Sequence, residues 1–490
     1  MNNVIKQNYK IACYCFLSAF LVLLICSKSS YLYPINDWTD ANIYFSMGKG
    51  ITEGKVIYRD LYDHKGPILY FLHALCAVIS FDNFLGVFWL EVICGTFFLY
   101  YSYNIARYLG AGKNCIVLLP LLGAIIFSSF SFLHGDSTEE LCLPILAYTL
   151  LVGLKFTKEN QVKPFTLFWV GFWVGVVFFI KFTLVGLQIS VCLWIVGYFV
   201  LTKQWKKAFE NFGILFLGFI VAIIPWIIYF IANGAIIDFL NVYFFDNLVL
   251  YASNEPTVSI FKKIFQIASS ILDWIKQNLI YTIPMFFGFI YIIVKKTKKT
   301  TWFVLFSFAL STLFVFIGAK SYPYYGLALA VFASIGYATI SINLPSFTKG
   351  KVILFSVLAI IISVVISLTC SINVNSSFLM KKDTTMQYNI SNYITEKNPN
   401  ILNYNFMDAG FFTAIGVSPQ VKYFHRNNVP KKEMLEKQKE YILNGQVDYI
   451  ISREPLTEDL IKKYILITTT EATEGFWYDT IYLYKGTSKK

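Results

Sequence analysis

Long apolar segments alternate with short polar connections up to about residue 373. The apolar runs are roughly 17 to 24 residues long, as a helix that crosses a bilayer requires. Two of them are "IACYCFLSAFLVLLICS" at 11–27 and "KVILFSVLAIIISVVISLTC" at 351–370. The pattern predicts a polytopic α-helical membrane protein. The first run is too long and too uninterrupted for a removable signal peptide.

Composition and charge placement support a bilayer as the main partner. Of the 490 residues, 56% are hydrophobic and 14% are charged, with a net charge of +12. Most lysines lie in short clusters between apolar runs, as the positive-inside rule requires, so we expect no nucleic-acid partner. All nine cysteines fall in or beside apolar runs. They are expected to be small core residues rather than disulfide partners.

The basic clusters also predict the topology of a cell-membrane protein with a cytoplasmic N-terminus. Segment 67–81 is short, and counting it as a full span would invert every later cluster. We therefore expect a juxtamembrane or re-entrant helix there and about eleven spans in total. The predicted outer face comprises the first outer loop at 28–84, segments 134–140 and 319–325, a long loop at 232–278 and everything from 374 onward.

The chain changes character after residue 373. Amphipathic helical stretches alternate with short apolar strands, and "WYDTIYLYKG" at 477–486 reads as a final strand. We therefore predict a transmembrane catalytic domain at 1–373 and a soluble extracytoplasmic α/β domain at 374–490.

Charge concentrates in the first outer loop, at 36–72. Apolar and aromatic positions between 38 and 51 predict a helix lying on the membrane with Asp40 at its start, and Gly66 and Pro67 break the chain before the next helix. Charges at this depth must be paired or face water. The side chains expected to converge at the outer membrane surface are Asp37, Asp40, Arg59, Asp60, Asp63, His64 and Lys65.

These residue types suit transfer of a group from a lipid-linked phosphate. A carboxylate at the boundary can deprotonate an acceptor hydroxyl, and a lysine or arginine can hold a phosphate. The alternative is a loop whose charges only solvate it and form weak ion pairs.

The loop resembles the first outer loop of GT-C glycosyltransferases that use polyprenyl-phosphate sugars. Protein mannosyltransferases and the aminoarabinose transferase of lipid A belong to this group. The matching elements are Asp40 with Tyr44, Gly54 with Tyr58, and the charged step "DHKGP" at 63–67. A bacterial branch that carries "YRDLYDHKGP" is most similar.

Other segments extend the resemblance across the chain. They are "STEELCLP" at 137–144, "IKFT" at 180–183, "AKSYPYYGLAL" at 319–329, "NFMDAGFFTAIGVSP" at 405–419 and "VDYIISRE" at 447–454. Two positions depart from the pattern: Ala41 stands where the family has a second acid, and Gly66 replaces a proline.

The resemblance implies roles for residues of the loop. Asp40 would be the general base of an inverting transfer, and Lys65 and Arg59 would bind the donor phosphate. Asp63, His64 and Tyr44 would orient Lys65 or the acceptor. The alternatives are a helix N-cap for Asp40, snorkelling for the two cations, and a structural role for His64.

Further candidates lie outside the loop. Glu139 and Glu140 either bind the acceptor or follow a helix cap at Ser137 or Thr138. Lys181 has no obvious partner in the sequence, which makes it a candidate phosphate ligand. Lys320 either binds phosphate, beside Tyr324, or belongs to an interfacial aromatic belt.

We expect no cofactor and no metal. The four histidines are scattered along the chain, and no glycine-rich nucleotide loop occurs. The resemblance implies transfer of a hexosyl or N-acetylhexosaminyl group from a polyprenyl-phosphate donor, such as an undecaprenyl-phosphate sugar. The acceptor would be an extracytoplasmic glycan: cell-wall polysaccharide, teichoic acid or capsule. Three alternatives stay open: a flippase or transporter, the same chemistry on a protein or lipid, and a non-catalytic surface-binding protein.

Overall fold

The computed structural model describes residues 2–251, 259–472 and 479–487. Most of them are helical. The α-helices are α1 (Asn2–Cys26), α2 (Thr39–Thr52), α3 (Pro67–Ile79), α4 (Leu85–Leu109), α5 (Leu119–Phe127), α6 (Thr138–Glu159), α7 (Pro164–Phe178), α8 (Gly186–Leu201), α9 (Trp205–Ala232), α10 (Ile236–Phe239), α11 (Ile260–Gln277), α12 (Leu279–Lys295), α13 (Lys298–Phe316), α14 (Ala333–Ile342), α15 (Lys349–Cys370), α16 (Ile372–Ser377), α17 (Met386–Ser391), α18 (Phe411–Ile415), α19 (Lys432–Leu443) and α20 (Glu458–Ile461). Two longer irregular helices are a π-helix at Leu240–Leu250 and a 3-10 helix at Pro323–Phe332.

Seven helices within the described residues are long and apolar enough to cross a membrane. They are Asn8–Cys26, α4, α6, α9, α13, Pro323–Ile342 and α15. Helices α11 and α12 form one further candidate that is bent by 103°. Four apolar helices are shorter, at 10–17 residues, and α3 is one of them. The short helix expected at 67–81 is therefore confirmed, and the count of about eleven spans stays a prediction.

Helix α15 shows why a bilayer is needed. Only 17% of the residues in its most apolar 18-residue stretch are buried within the protein. Its exposed side chains include Ile353, Leu354, Val357, Leu358, Ile361, Ile362 and Val365. An apolar surface of this kind is stable against lipid and not against water. The chain is a multi-pass membrane protein.

The chain divides into two compact units. The first comprises Met1–Ser27, Phe88–Pro225 and Val258–Phe378, and the second comprises Lys28–Val87, Trp226–Thr257 and Leu379–Lys490. The first outer loop therefore belongs to the same unit as the C-terminal residues. The predicted domain boundary at 373/374 stays a prediction.

The C-terminal part of the second unit contains a four-stranded sheet in the order β1-β2-β4-β3. The strands are β1 (Ile401–Tyr404), β2 (Tyr449–Ser452), β3 (Tyr464–Glu471) and β4 (Thr480–Gly486). Strands β1 and β2 are parallel, with Ile401 opposite Tyr449, and β4 is antiparallel to β2 and β3. Leu402, Ile442 and Ile450 belong to the buried core beside the sheet. The predicted α/β character is confirmed. Of the last predicted strand, Trp477 and Tyr478 lie outside the described residues.

Segment 232–278 differs from the predicted long loop. It contains α10, the π-helix Leu240–Leu250 and α11. The prediction was wrong because the sequence "IIDFLNVYFFDNLVL" at 236–250 is apolar enough to be packed as helix. Val242, Tyr243 and Asp246 of the π-helix are buried.

Candidate active site

Asp40 lies in the first turn of α2. The N-cap of this helix is Trp38, so the interpretation of Asp40 as an N-cap is wrong. Asp40 Oδ2 accepts a hydrogen bond of 3.1 Å from the hydroxyl of Tyr44, one turn further on. The positive end of the helix dipole favours a charged carboxylate at this position. The Tyr44 hydroxyl therefore orients the Asp40 carboxylate.

Helix α2 is packed tightly against α3. A Cβ atom at Gly48 would lie 2.5 Å from the carbonyl carbon of His73, so only glycine allows this approach. The Tyr44 ring meets the His73 ring edge to face, with 5.6 Å between centroids. Because Tyr44 also bonds Asp40, this packing limits where the Asp40 carboxylate can lie.

Two buried tyrosines fix the main chain at Lys65. The Tyr58 hydroxyl donates to the Lys65 carbonyl at 2.6 Å, and the Lys65 N–H donates to the Tyr70 hydroxyl at 2.8 Å. Tyr58 is fully buried and adopts a left-handed conformation with φ of 69°. Among the described residues of the second unit, no hydrogen bond or ion pair uses the Lys65 ammonium group. The backbone is thus fixed while the charge is available to an anion.

Asp63 anchors the same loop from the interior. Its carboxylate is 2% exposed and accepts hydrogen bonds from the Tyr70 hydroxyl, at 2.6 Å, and from the Asn427 amide. Burial opposes ionisation, but positive charge on His64, which only acid protonates, and on Lys65 outweighs burial and lowers the pKa of Asp63 below its ordinary value. A carboxylate held in this way orients the loop and is poorly suited to accept a proton.

Asn247 of the π-helix binds His64 at two points. Its amide nitrogen donates to the carbonyls of His64, at 2.6 Å, and Tyr243, at 2.9 Å. Two carbonyl acceptors fix which end of the amide is nitrogen. The amide oxygen therefore faces His64 Nδ1, at 2.8 Å, and Nδ1 must carry the proton. The Nε2 lone pair is left as an acceptor.

The His64 ring is neutral. Burial, and next the charge of Lys65, lower its pKa to about 4. Asp40 acts in the opposite direction, which places it within electrostatic range of the ring. Within the described part of the second unit, no group bonds Nε2. His64 can therefore accept a hydrogen bond at neutral pH.

Tyr62 connects the loop to two distant segments. Its hydroxyl donates to Asp246 Oδ2 at 2.8 Å, and the Lys431 ammonium lies 3.1 Å from the same oxygen. Sequence analysis missed Asp246 and Asn247, although they form a polar pair inside the apolar run "VYFFDNLVL" at 242–250. It also missed Asn427 and Lys431, for which a single sequence offers no signal.

Arg59 is less available than Lys65. Two nitrogens of its guanidinium bond the Asp60 carboxylate at 2.8 Å, and a third donates to the Asn233 carbonyl at 2.7 Å. The Arg59 side chain is 42% exposed, so the ion pair itself is weak. A phosphate would have to compete with these contacts, and donor binding by Arg59 stays a prediction.

A second cluster lies in the first unit. Lys181 forms an ion pair of 2.5 Å with Glu139, and the two side chains are 11% and 1% exposed. The ammonium lies 3.9 Å from the centre of the Tyr325 ring and 5.2 Å from that of Tyr324. The expectation that Lys181 has no obvious partner is therefore wrong. Segments 137–144, 180–183 and 319–329 meet at this point.

The start of α6 explains the neighbouring acids. Ser137 is the N-cap and accepts a hydrogen bond of 3.1 Å from the Glu140 N–H, which confirms the predicted cap. Glu140 and Glu91 both accept from the Asp136 N–H, at 2.9 and 2.8 Å. Sequence analysis did not single out Glu91. Lys320 is partly buried in the segment before Pro323–Phe332, and its role stays a prediction.

Comparisons with known proteins agree with this architecture. Residues 64–229 match the dolichyl-phosphate-mannose-protein mannosyltransferase family. The fold is similar to that of ArnT from Cupriavidus metallidurans bound to undecaprenyl phosphate, with a TM-score of 0.62 and 10% identity over 95% of this chain and 97% of ArnT. The apo structure of ArnT gives the same TM-score and coverage at 11% identity. The chain has the GT-C fold. No curated protein sequence matches it significantly.

The GT-C fold confirms the resemblance seen in the sequence. In this fold the second unit positions Asp40, Tyr44, Asp63, His64 and Lys65, and the first unit positions the Glu139–Lys181 pair beside Tyr324. The roles of these residues stay predictions. Among the described residues, no group of three or more His, Cys, Asp or Glu side chains is arranged to hold a metal ion. A reaction without metal is likewise still a prediction.

Proposed function

We propose that the protein is an inverting glycosyltransferase that works at the extracytoplasmic face of the cell membrane. It moves one hexosyl or N-acetylhexosaminyl group from a polyprenyl-phosphate donor to an extracytoplasmic glycan. The GT-C fold and the family match over 64–229 support lipid-linked sugar transfer. The ArnT structure bound to undecaprenyl phosphate supports a polyprenyl phosphate as the lipid part of the donor.

The observation that carries the proposal is that the Lys65 ammonium has no partner within the described part of its own unit. Its backbone is fixed by Tyr58 and Tyr70, while no group of the described second unit pairs with its ammonium. A cation close to a membrane surface that has no partner in its own unit is suited to an anionic ligand. Phosphate is the anion that a polyprenyl donor presents.

The transfer step needs one base and one leaving group. The acceptor hydroxyl oxygen attacks the anomeric carbon of the donor, and its proton passes to the Asp40 carboxylate. The bond between the anomeric carbon and the phosphate oxygen breaks, and polyprenyl phosphate leaves with the electron pair. Lys65 stabilises the charge on that phosphate. Attack opposite the leaving group inverts the anomeric configuration.

Two residues support this step without joining it. Asp63 orients Lys65 from the interior, and His64 accepts a hydrogen bond at Nε2 from a hydroxyl of the acceptor.

The positive-inside pattern supports a cytoplasmic N-terminus, with the first outer loop and the C-terminal domain outside. Nucleotide sugars are absent on that side, whereas lipid-linked donors reach it.

The test is sugar transfer by purified protein in lipid bilayers. Synthetic polyprenyl-phosphate hexoses and N-acetylhexosamines are supplied one at a time with a glycan acceptor. We expect transfer with one donor class, and a donor KM that rises about 10- to 100-fold in Lys65→Ala, as for loss of a hydrogen bond to a charged group. Lys462→Ala, at a side chain that is 74% exposed, is the matched control. Donor binding without transfer of any sugar contradicts the proposal and favours the flippase alternative.

A further inference from the structure

A polar groove lies in the C-terminal part of the second unit, between α17 and the edge strand β3. Its cavity volume is about 310 Å³. The side chains that carry the argument are Asn389, Asn392, Tyr393, Thr468, Thr469 and Thr470. Among the described strands, β3 pairs with β4 alone, so the groove lies at the border of the sheet.

The hydrogen-bonding groups of this lining are largely unused. Among the described residues of this unit, no hydrogen bond involves the side-chain amides of Asn389 and Asn392 or the hydroxyl of Tyr393. Thr468 Oγ1 makes only one long contact, of 3.4 Å, to the neighbouring Thr469 carbonyl. The groove therefore offers amide donors, amide acceptors and hydroxyls to a ligand.

The lining excludes several ligand classes. Its described residues include no Lys, Arg, His, Asp or Glu, so they offer no side-chain charge to a phosphate or a charged peptide. Of the two large apolar side chains among the described lining residues, Ile390 is buried and Tyr393 is exposed, which leaves too little apolar surface for a lipid chain. Hydroxyls and amides around one aromatic face match a neutral polyhydroxyl ligand.

Tyr393 supplies the aromatic face. It is 52% exposed, so about half of the residue is accessible to a ligand. A tyrosine combines a flat apolar surface with a polar tip, and a sugar ring presents C–H groups on its face and hydroxyls at its edge. The volume is at the lower end for ligand pockets, which suits about one or two sugar units.

We infer that this groove binds a stretch of uncharged glycan and shares no lining residue with the donor phosphate site. That this glycan is the acceptor or the product rests on the proposed function, whereas the binding of glycan to the groove does not. A transferase that extends or decorates a polymer gains affinity when its soluble domain holds a second part of the same chain. The groove would thus select polymeric acceptors over single sugars.

The binding test uses the full-length protein in lipid nanodiscs. Neutral tetrasaccharides built from glucose, galactose or N-acetylglucosamine are titrated by calorimetry. We expect at least one to bind, with affinity about 3- to 10-fold weaker in Tyr393→Ala and in Asn392→Ala, as for loss of one neutral hydrogen bond or ring contact. Tyr393→Phe, which keeps the ring, should retain most of the affinity. No binding of any tetrasaccharide, or equal affinity in all variants, overturns the inference.

A transfer assay separates this inference from the proposed function. In Tyr393→Ala we expect the KM for a polymeric acceptor to rise while kcat, and the KM for a monosaccharide acceptor, stay unchanged. If KM and kcat for both acceptors are the same in wild type and Tyr393→Ala, the inference of a glycan-binding groove is wrong and the proposed enzymatic function is unaffected. Tetrasaccharide binding that depends on Tyr393, in a protein that transfers no sugar, supports the groove and overturns the proposed function.

Discussion

Asn247 binds both the imidazole and the carbonyl of His64, from a position 183 residues away along the chain. The same amide also bonds the Tyr243 carbonyl, which fixes its orientation. His64 is therefore held as the Nδ1–H tautomer beside Lys65. The π-helix consequently shapes the hydrogen-bonding pattern of the first outer loop, although it lies in a segment that the sequence identified only as a long connection.

This relationship predicts non-additive mutations. Asn247→Ala and His64→Ala should each lower kcat about 10- to 100-fold, because each removes the oriented Nε2 acceptor. If Asn247 acts through His64, the double variant should be no slower than His64→Ala alone. Steady-state transfer kinetics of the three variants make the measurement. Losses that multiply in the double variant would show that the two residues act independently.

Lys49 predicts a pH dependence of stability. It is fully buried in α2, and its ammonium donates to the carbonyls of Phe412, at 3.1 Å, and Val417, at 3.4 Å. Burial lowers its pKa to about 7, against the opposing effect of Asp408. Between pH 7 and the ordinary lysine value of 10.5, the unfolded chain binds more protons, so the free energy of unfolding rises with pH.

Thermal unfolding between pH 7 and 9.5 tests this sign. We expect the Tm of the wild type to rise with pH relative to that of Lys49→Met, by about 2 to 4 °C for each kcal/mol of linked stability. Lys462→Met removes a lysine whose side chain is 74% exposed and should leave the slope unchanged. If the Tm of wild type and that of Lys49→Met change with pH by the same amount, Lys49 has an ordinary pKa.

The Glu139–Lys181 pair predicts a different stability pattern. Lys181→Met leaves a carboxylate that is 1% exposed without its cation, which should cost about 3 to 5 kcal/mol. Adding Glu139→Gln removes the buried charge and should restore most of the Tm. Asp459→Ala breaks an exposed ion pair with Lys462 and serves as the control. A double variant no more stable than Lys181→Met would contradict a direct charge pairing.

The hydrogen bond between Asn427 and Asp63 predicts that the C-terminal residues support the reaction at the first outer loop. Its amide bonds the buried Asp63 carboxylate, 364 residues away along the chain. Asn427→Ala should lower kcat about 10-fold, since it removes one charge-assisted hydrogen bond, and leave the fold intact. Lys462→Ala changes a side chain that is 74% exposed and should have no effect. Equal kinetics in both variants would show that Tyr70 alone suffices to hold Asp63.

Local features of the fold could be predicted from the sequence. The apolar spacing between 38 and 51 indicated α2, the break at Gly66 and Pro67 indicated the start of α3, and Ser137 indicated the cap of α6. Each depends on neighbouring residues only. The alternation of short helices and strands after residue 373 likewise indicated the C-terminal sheet.

Long-range contacts could not be predicted in this way. Glu139 and Lys181 were each identified as candidates, but their pairing depends on how α6 and the end of α7 pack, which a single sequence does not encode locally. Asn247 and Asn427 reach the loop only through tertiary structure. For Asp40 the sequence identified the residue, but the exact helix start, at Thr39, required the structure.

The central claim is that Asp40 is the general base of sugar transfer. The most direct measurement compares donor binding and single-turnover transfer in wild type and Asp40→Asn, with the protein in bilayers and the active polyprenyl-phosphate sugar supplied. We predict unchanged donor affinity, an unchanged Tm and a transfer rate at least about 100-fold lower in Asp40→Asn, since general-base catalysis contributes about 10²–10⁴-fold. Transfer at the wild-type rate in Asp40→Asn would contradict the account.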